Sequence, residues 1–421
     1  MAARARVRAA LPLKKDILSH VGLLPYPYRV PLSAPYWNSA TYRGILRSLL
    51  SRSVIHGPDV KKLVSSLIRE LGVEEALLFG SGSFALEIAL RACGVRARDE
   101  VVIPTFCCTA VVPPVLAAGA IPVLADVGEE LNLTAENVER LLTDRTRAII
   151  VPHLFGNPAD IDAIIGLASG RDIRVIDDAA QALGATIDGR PVGGFGDAGI
   201  LSFGREKICS GLGGGVAVSR HQGLLARPGI EFFTPRLSPV LEDLLSTLFW
   251  RKWRRWTFPA EAFFSSMKAG PDSPPALYPK VTMANLNASV ALSLVQTLGE
   301  NIAARRARVL AYRELLGREN RLELIPHRSG SACLTQVVRV MAKDGDDPAS
   351  RIIGELTAAG YEIQGSYVPI HLLPSYQSWG RGSLPHAERV WADLVELPCE
   401  PDVSLEDVER IVFIVKQVLN T

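Results

Sequence analysis

No CxxC pair stands anywhere in this 421-residue chain, and its six cysteines, at 93, 107, 108, 209, 333 and 399, keep no regular spacing. That argues against a zinc site or a disulfide framework and fits reduced thiols in a cytoplasmic protein. Net charge is nearly absent too: 46 basic against 44 acidic side chains leave +2, which gives no reason to expect nucleic acid as a partner. Internal repeats and low-complexity tracts are missing. Only 28 residues are proline while 48% are apolar, so disorder does not dominate and the length allows two domains with a sizeable core.

A membrane span is also lacking. Residues 101–125 contain no charged side chain, long enough to cross a bilayer, but Pro104, Pro113, Pro114, Gly119 and Pro122 interrupt them. The segment reads instead as a buried strand, helix and strand. The N-terminus is basic (Arg4, Arg6, Arg8, Lys14, Lys15) without the apolar stretch of a secretory signal, and reads as a solvated tail.

From about 60 to 220, short apolar runs alternate with helical patterns. Strands are expected at 76–79, 101–103, 121–124, 148–151, 174–176, 198–203 and 215–219, with helices at 83–93, 108–118, 134–142 and 159–169. Such alternation predicts a mostly parallel seven-stranded sheet covered on both faces, with ligands at the carboxyl ends of the strands. After an interruption at 228–275, a smaller α+β region is expected, with strands near 333–341 and 361–367 and a last helix at 404–419. The divisions are an N-terminal segment 1–45, a large domain 46–285 and a small domain 286–421.

Lys207 follows the apolar run Ile200-Leu201-Ser202-Phe203 and precedes Gly211, Gly213, Gly214 and Gly215. It is either a solvated surface charge or a partly buried amine whose charged form desolvation disfavours, as Schiff-base chemistry requires. Asp178 ends the strand Val175-Ile176-Asp177, so it reads equally as a helix cap or as the counter-ion of a ring nitrogen, with Gln181 able to reach the neighbouring phenolic oxygen. Ser81-Gly82-Ser83-Phe84 opens a helix. A capping box between Ser83 and Glu87 is one residue too long, which favours an anion seat made by the N–H groups of Ser83 and Phe84. His153 and His371, each isolated in apolar surroundings, read as satisfied core or edge residues.

The order of these motifs resembles the DegT/DnrJ/EryC1/StrS family of pyridoxal-phosphate sugar aminotransferases, from about Gly57 to the C-terminus. It runs through Gly80-Ser81-Gly82-Ser83, Asp99-Glu100-Val101-Val102-Ile103-Pro104, His153-Leu154-Phe155-Gly156-Asn157-Pro158, Asp178-Ala179-Ala180-Gln181, Ser202-Phe203 with Lys207, and Tyr367-Val368-Pro369-Ile370-His371. The resemblance implies a type I aminotransferase fold and pyridoxal 5'-phosphate held on Lys207. It places Asp178 on the ring nitrogen, Gln181 on the phenolic oxygen, and Ser83, Phe84 and Ser202 on the phosphate. It also implies an amino-acid donor such as L-glutamate, a keto-sugar nucleotide as acceptor, and a homodimer.

Three positions depart from the family pattern. Cys108 stands where an aromatic ring usually stacks on the cofactor, Leu212 replaces a glutamate, and Lys280 lies where an asparagine usually reaches the partner's phosphate. The rivals are a sugar dehydratase, against which Lys207 argues because those members carry histidine there, and a cofactor-binding protein without turnover. Within 228–275, Leu245, Phe249, Trp253 and Trp256 share a helical face opposite Arg251, Arg254 and Arg255. The stretch 245–258 therefore reads either as a peripheral membrane contact or as a cover for an interface.

Overall fold

The computed structural model describes residues 29–30, 36–226, 229–250, 278–342, 346–379 and 383–420. The basic N-terminal stretch and Trp253 and Trp256 lie outside the described residues. The strands of the first half are β1 (Glu75–Phe79), β2 (Glu100–Pro104), β3 (Ile121–Ala125), β4 (Thr146–Pro152), β5 (Arg174–Asp178), the hairpin β6 (Thr186–Ile187) and β7 (Arg190–Pro191), β8 (Ala198–Ser202) and β9 (Gly215–Ser219). Seven of them form one sheet in the order β1-β9-β8-β5-β4-β2-β3, in which β9 alone runs antiparallel to its neighbours. The uncharged segment 101–125 is strand, short helix and strand. Pro122 is tolerated because β3 is an edge strand.

Alternation along the strands feeds two cores. Val102, Ile149, Val175 and Val218 point to one face and Val101, Ile150, Ile176 and Ala217 to the other, and both sets are buried. A sheet apolar on both faces needs helices on both, and helices between and flanking the strands supply them. The helices Asp59–Leu71 and Asn285–Gln296 cover the first face, and Gly82–Ala92 and Val112–Ala117 the second.

The second sheet, order β10-β11-β13-β12, comprises β10 (Leu322–Leu324), β11 (Thr335–Val340), β12 (Gln364–Gly365) and β13 (Leu394–Pro398). It packs on helices Pro348–Ala358 and Leu405–Asn420 around a third core. The helix Leu298–Leu316 serves both regions: Leu298 and Ile302 enter the first core, Val309, Tyr312 and Leu316 the third.

Because β1 and β8 both run antiparallel to β9, their carboxyl ends lie on the same edge as those of β5, β4 and β2. Gly80–Ser83, Thr105–Cys108, His153, Asp178 and Ser202–Lys207 all follow these ends. The sheet topology alone thus gathers them.

The turn after β7 approaches β8 closely at Gly199. A methyl at Gly199 would overlap the Gly193 carbonyl oxygen and sit 2.8 Å from the Gly193 carbonyl carbon and 3.0 Å from Val218 Cγ2. Gly199→Ala is therefore expected to cost more than about 2 kcal/mol, read as a lowered denaturant midpoint at unchanged m-value.

Candidate active site

A cavity of about 280 Å³ opens at this edge, and Ser83, Cys108, Asp178, Gln181, Ser202 and Lys207 all line it. Each reaches it for a local reason.

Successive strand residues face opposite sides, so the neighbours Asp177 and Asp178 have different fates. Asp177 turns beneath the sheet, fully buried. Its Oδ2 accepts the Gly193 and Phe195 N–H groups at 2.7 and 2.8 Å, and its Oδ1 meets His153 Nε2 at 2.8 Å. The Ala159 N–H donates to His153 Nδ1 at 2.8 Å, so the ring carries its proton on Nε2 and donates it to Asp177. His153 is a satisfied core residue.

Asp178 turns to the cavity with 5% of its surface exposed. One oxygen accepts the Ala180 N–H at 2.9 Å. Burial pushes this carboxyl above the usual carboxylate range, opposed by the Ala180 N–H and by the charge of Lys207. A protonated ring nitrogen seated against Asp178 would supply the cation that burial calls for.

The helix Gly82–Ala92 starts at the cavity wall. Its cap is Ser81, not Ser83: Ser81 Oγ accepts the Phe84 N–H at 3.2 Å. This alters the expected anion seat. Phe84 has committed its N–H to Ser81 and has buried its ring against Phe79, centroids 5.0 Å apart. The first-turn N–H of Ser83 has no residue four positions back in the helix to bond, and with the Ser83 and Ser202 hydroxyls it faces the cavity. Ser83 Oγ also donates to the Ala110 carbonyl at 3.3 Å, and Ser202 Oγ accepts the Gly204 N–H at 3.3 Å. This corner therefore offers N–H and O–H donors at the positive end of a helix, which suits a phosphate. A side chain at Gly215 would close it, since its Cβ would lie 2.5 Å from Gly82 Cα.

Lys207 sits in the loop between β8 and β9, half-buried, and among the described residues no hydrogen bond holds its amine. The loop around it is held firmly. Asn301 Nδ2 donates to the Ile208 carbonyl at 3.1 Å, Trp37 Nε1 to that of Ser210 at 3.0 Å, and Asn287 Nδ2 to that of Leu212 at 2.6 Å. Sequence reasoning missed these three anchors. They come from 93, 173 and 75 positions away, and nothing near Lys207 announces them. Leu212 itself is buried in the first core.

Cys108 borders the cavity half-buried, whereas burial pushes the thiol of its neighbour Cys107 well up. Gln181 Oε1 accepts the Phe155 N–H at 2.9 Å and Nε2 donates to Tyr367 Oη at 2.9 Å. Lys280 is already engaged within its own chain. Its amine, the Tyr278 hydroxyl and Arg91 Nε converge on buried Glu87 at 2.8, 2.8 and 3.1 Å.

An amine, a buried acid, an amide and a neutral donor corner around one cavity fit pyridoxal phosphate group by group. The profile of the DegT/DnrJ/EryC1/StrS aminotransferase family matches residues 39–227 and 267–416. The chain belongs to that family. The break in the match falls inside the interruption expected at 228–275.

GDP-perosamine synthase of Caulobacter vibrioides is 29% identical over 354 residues, 83% of this chain and 86% of that one. UDP-N-acetyl-3-dehydro-alpha-D-glucosamine 3-aminotransferase of Acidithiobacillus ferrooxidans is 29% identical over 378 residues, 90% and 93% of the two chains. The crystal structure of the aminotransferase TlmJ from Streptoalloteichus hindustanus superposes with a TM-score of 0.74 at 26% identity, covering 94% of this chain and 99% of that one. The fold is the type I aminotransferase fold, the protein is an aminotransferase and its cofactor is pyridoxal 5'-phosphate.

The two aspartates should respond oppositely to amide replacement. Asp177→Asn leaves one acceptor oxygen for three N–H donors and should cost roughly 2–3 kcal/mol. Asp178 is different. Its raised pKa means that the cofactor-free protein loses stability as pH climbs through this titration. Asp178→Asn should remove that loss, holding or raising Tm at neutral pH, while weakening cofactor binding. Thermal melts with and without pyridoxal phosphate test both.

Proposed function

We propose that this aminotransferase moves an amino group from an amino acid, L-glutamate, to a keto-sugar nucleotide in polysaccharide, lipopolysaccharide or antibiotic assembly. What carries the reading is the convergence of Lys207, Asp178 and the Ser83/Ser202 corner on one cavity, in a chain whose relatives over more than four-fifths of its length are named as enzymes of amino-sugar nucleotides.

When bound, pyridoxal phosphate supplies an electron sink for the carbon that gains or loses nitrogen. The protein's groups divide the remaining work. Lys207 Nζ holds the cofactor at rest and, once released, carries the proton between substrate carbon and cofactor. Asp178 keeps the ring nitrogen protonated, and Gln181 presents an N–H to the phenolic oxygen. Ser83 and Ser202 receive the phosphate, with Phe84 anchoring the start of the helix beneath it. Cys108 occupies the ring-stacking position with a smaller, polarisable side chain. No carboxylate hydrogen-bonds Lys207 among the described residues, which supports its availability to the cofactor.

The same reading places the enzyme in the cytoplasm as a homodimer, divided into a segment 1–45, a large domain 46–285 and a small domain 286–421. Tyr42, Leu46 and Leu50, spaced four apart on the helix Ser39–Leu50, are 53%, 56% and 76% exposed. Such an apolar stripe supports cover by a second copy. For 245–258 we propose peripheral membrane contact, supported by the sequence pattern and by half-exposed Leu245. Liposome flotation should capture the protein and lose it when Trp253 and Trp256 are both replaced. No flotation of the unaltered protein would sink that contact.

The central test is the visible absorbance of the protein with added pyridoxal phosphate. A band should form, change on adding L-glutamate, and be missing in Lys207→Ala, which should also lose nitrogen transfer altogether. A band indifferent to glutamate would favour another donor or a protein that binds the cofactor without turnover.

A further inference from the structure

Gln181 stands where two cavities meet. It lines the cofactor cavity and also a second one, about 50 Å³, which opens between the two sheets on the far side of Lys207. Its amide is not free to turn. With Oε1 receiving the Phe155 N–H and Nε2 donating to Tyr367, the network fixes which end is oxygen and which is nitrogen. A carboxamide nitrogen carries two hydrogens. One is spent on Tyr367, and one remains for the cofactor cavity.

Both partners of Gln181 are themselves tightly held. Phe155 has φ 58° and ψ 19°, a left-handed conformation that a bulky residue adopts only where its surroundings over-determine it. Those surroundings are the small-domain strand β11 and its approach. The Phe155 carbonyl accepts the Leu334 N–H at 2.9 Å, and the Gly156 carbonyl accepts that of Ala332 at 2.8 Å. A side chain at Gly156 would come 2.7 Å from Leu334 N, so the approach itself requires glycine. Tyr367 arrives from the small domain. Its ring lies over Phe155 at 6.0 Å and 25°, and meets Phe106 edge-on at 5.9 Å.

We propose that Tyr367 is a positioning residue for the transamination: from the small domain it fixes the Gln181 carboxamide so that the remaining N–H is presented to the phenolic oxygen of the cofactor. This rests on the assignment of Gln181 to that oxygen made above. The consequence is electrostatic. A donor on the phenolic oxygen occupies a lone pair that would otherwise share the proton on the Lys207 nitrogen, and so lowers the pH at which that proton leaves. Removing the Tyr367 hydroxyl frees the amide to rotate and raises that pH.

Several titratable groups surround this contact. Glu206 and Lys207 come from the loop after β8, Glu396 from β13, and Cys107 and Cys108 from the turn after β2. Arg305, Glu362 and Glu400 form the farther wall. Burial pushes the Tyr367 phenol well up, with Glu396 and Glu206 adding to it, and burial pushes Glu396 up to about 7. The phenol therefore stays neutral across the working range. All of these neighbours are common to the unaltered protein and to Tyr367→Phe, so a difference between the two reports on the hydroxyl.

The experiment is a pH titration of the visible band in the cofactor-loaded protein, for the unaltered chain, Tyr367→Phe, Gln181→Ala and the double variant. Tyr367→Phe keeps the ring and its contacts with Phe155 and Phe106, and a matching melt of the cofactor-free protein verifies its fold. The midpoint should rise by about half a unit to one unit in each single variant. The double variant should rise no further than Gln181→Ala alone, because Tyr367 acts through Gln181. A midpoint unmoved in Tyr367→Phe, or shifts that simply add, would overturn the role of Tyr367 while leaving the cofactor site standing. No visible band in the unaltered protein would overturn the cofactor site, and this role with it.

Discussion

Burying carboxylate at the end of β5 is the constraint on which the site depends. A carboxylate leaves water at a cost of several kcal/mol unless donors or a counter-charge replace its hydration. Asp177 obtains full replacement from Gly193, Phe195 and His153, and in doing so ties the turn after β7 to the segment after β4. Asp178, one residue on and on the other face, obtains among the described residues only the Ala180 N–H. Its remaining demand is met by no residue of the first core. In the function proposed above, the cofactor's ring nitrogen is the group that would answer it. A site of this kind is less stable empty than full, and it spends part of the fold's stability on affinity.

Lys207, in the role proposed for it, poses the opposite problem, since a reactive amine must be placed without being bound. The structure leaves the amine without a hydrogen bond among the described residues and fixes the backbone around it. Three remote side-chain donors, two of them buried, hold the carbonyls of Ile208, Ser210 and Leu212. Orientation is worth a large part of a catalytic barrier, and here it is achieved through the main chain. Leu212 illustrates the consequence. Its carbonyl keeps the loop anchored to Asn287 whatever side chain the position carries, so the departure from the family's glutamate leaves the loop's support intact. Gln181 then joins this arrangement, through Tyr367, to the chain just after β12 of the second sheet.

Much of the fold was legible in the chain because strand burial imposes a pattern on sequence. All seven strands of the large sheet lie within two residues of the expected positions, since each is a largely buried apolar run bounded by glycine, proline or charge. The same holds for Lys207, Asp178, Gln181, Ser83, Ser202 and Cys108, which follow strand ends and so meet at one edge. Phe84 shows where local reading stopped. By sequence only Ser83 is weighed as the cap, and only the direction in which the chain leaves β1 decides that Ser81 takes the Phe84 N–H and Ser83 faces the cavity.

The sequence by itself determined the alternation of strands and helices, the two-faced core, the order of the cofactor motifs and the family, because periodicity and short motifs are local properties. Tertiary structure alone decided which aspartate is structural and which faces the cavity, since that depends on which face of β5 meets donors from another segment. It alone decided that Lys280 is engaged by Glu87, that remote Asn301, Asn287 and Trp37 hold the lysine loop, and that Tyr367 meets Gln181 across 186 positions of chain. Such contacts join residues far apart in sequence, and a hydrogen bond between distant side chains leaves no periodic trace in either neighbourhood.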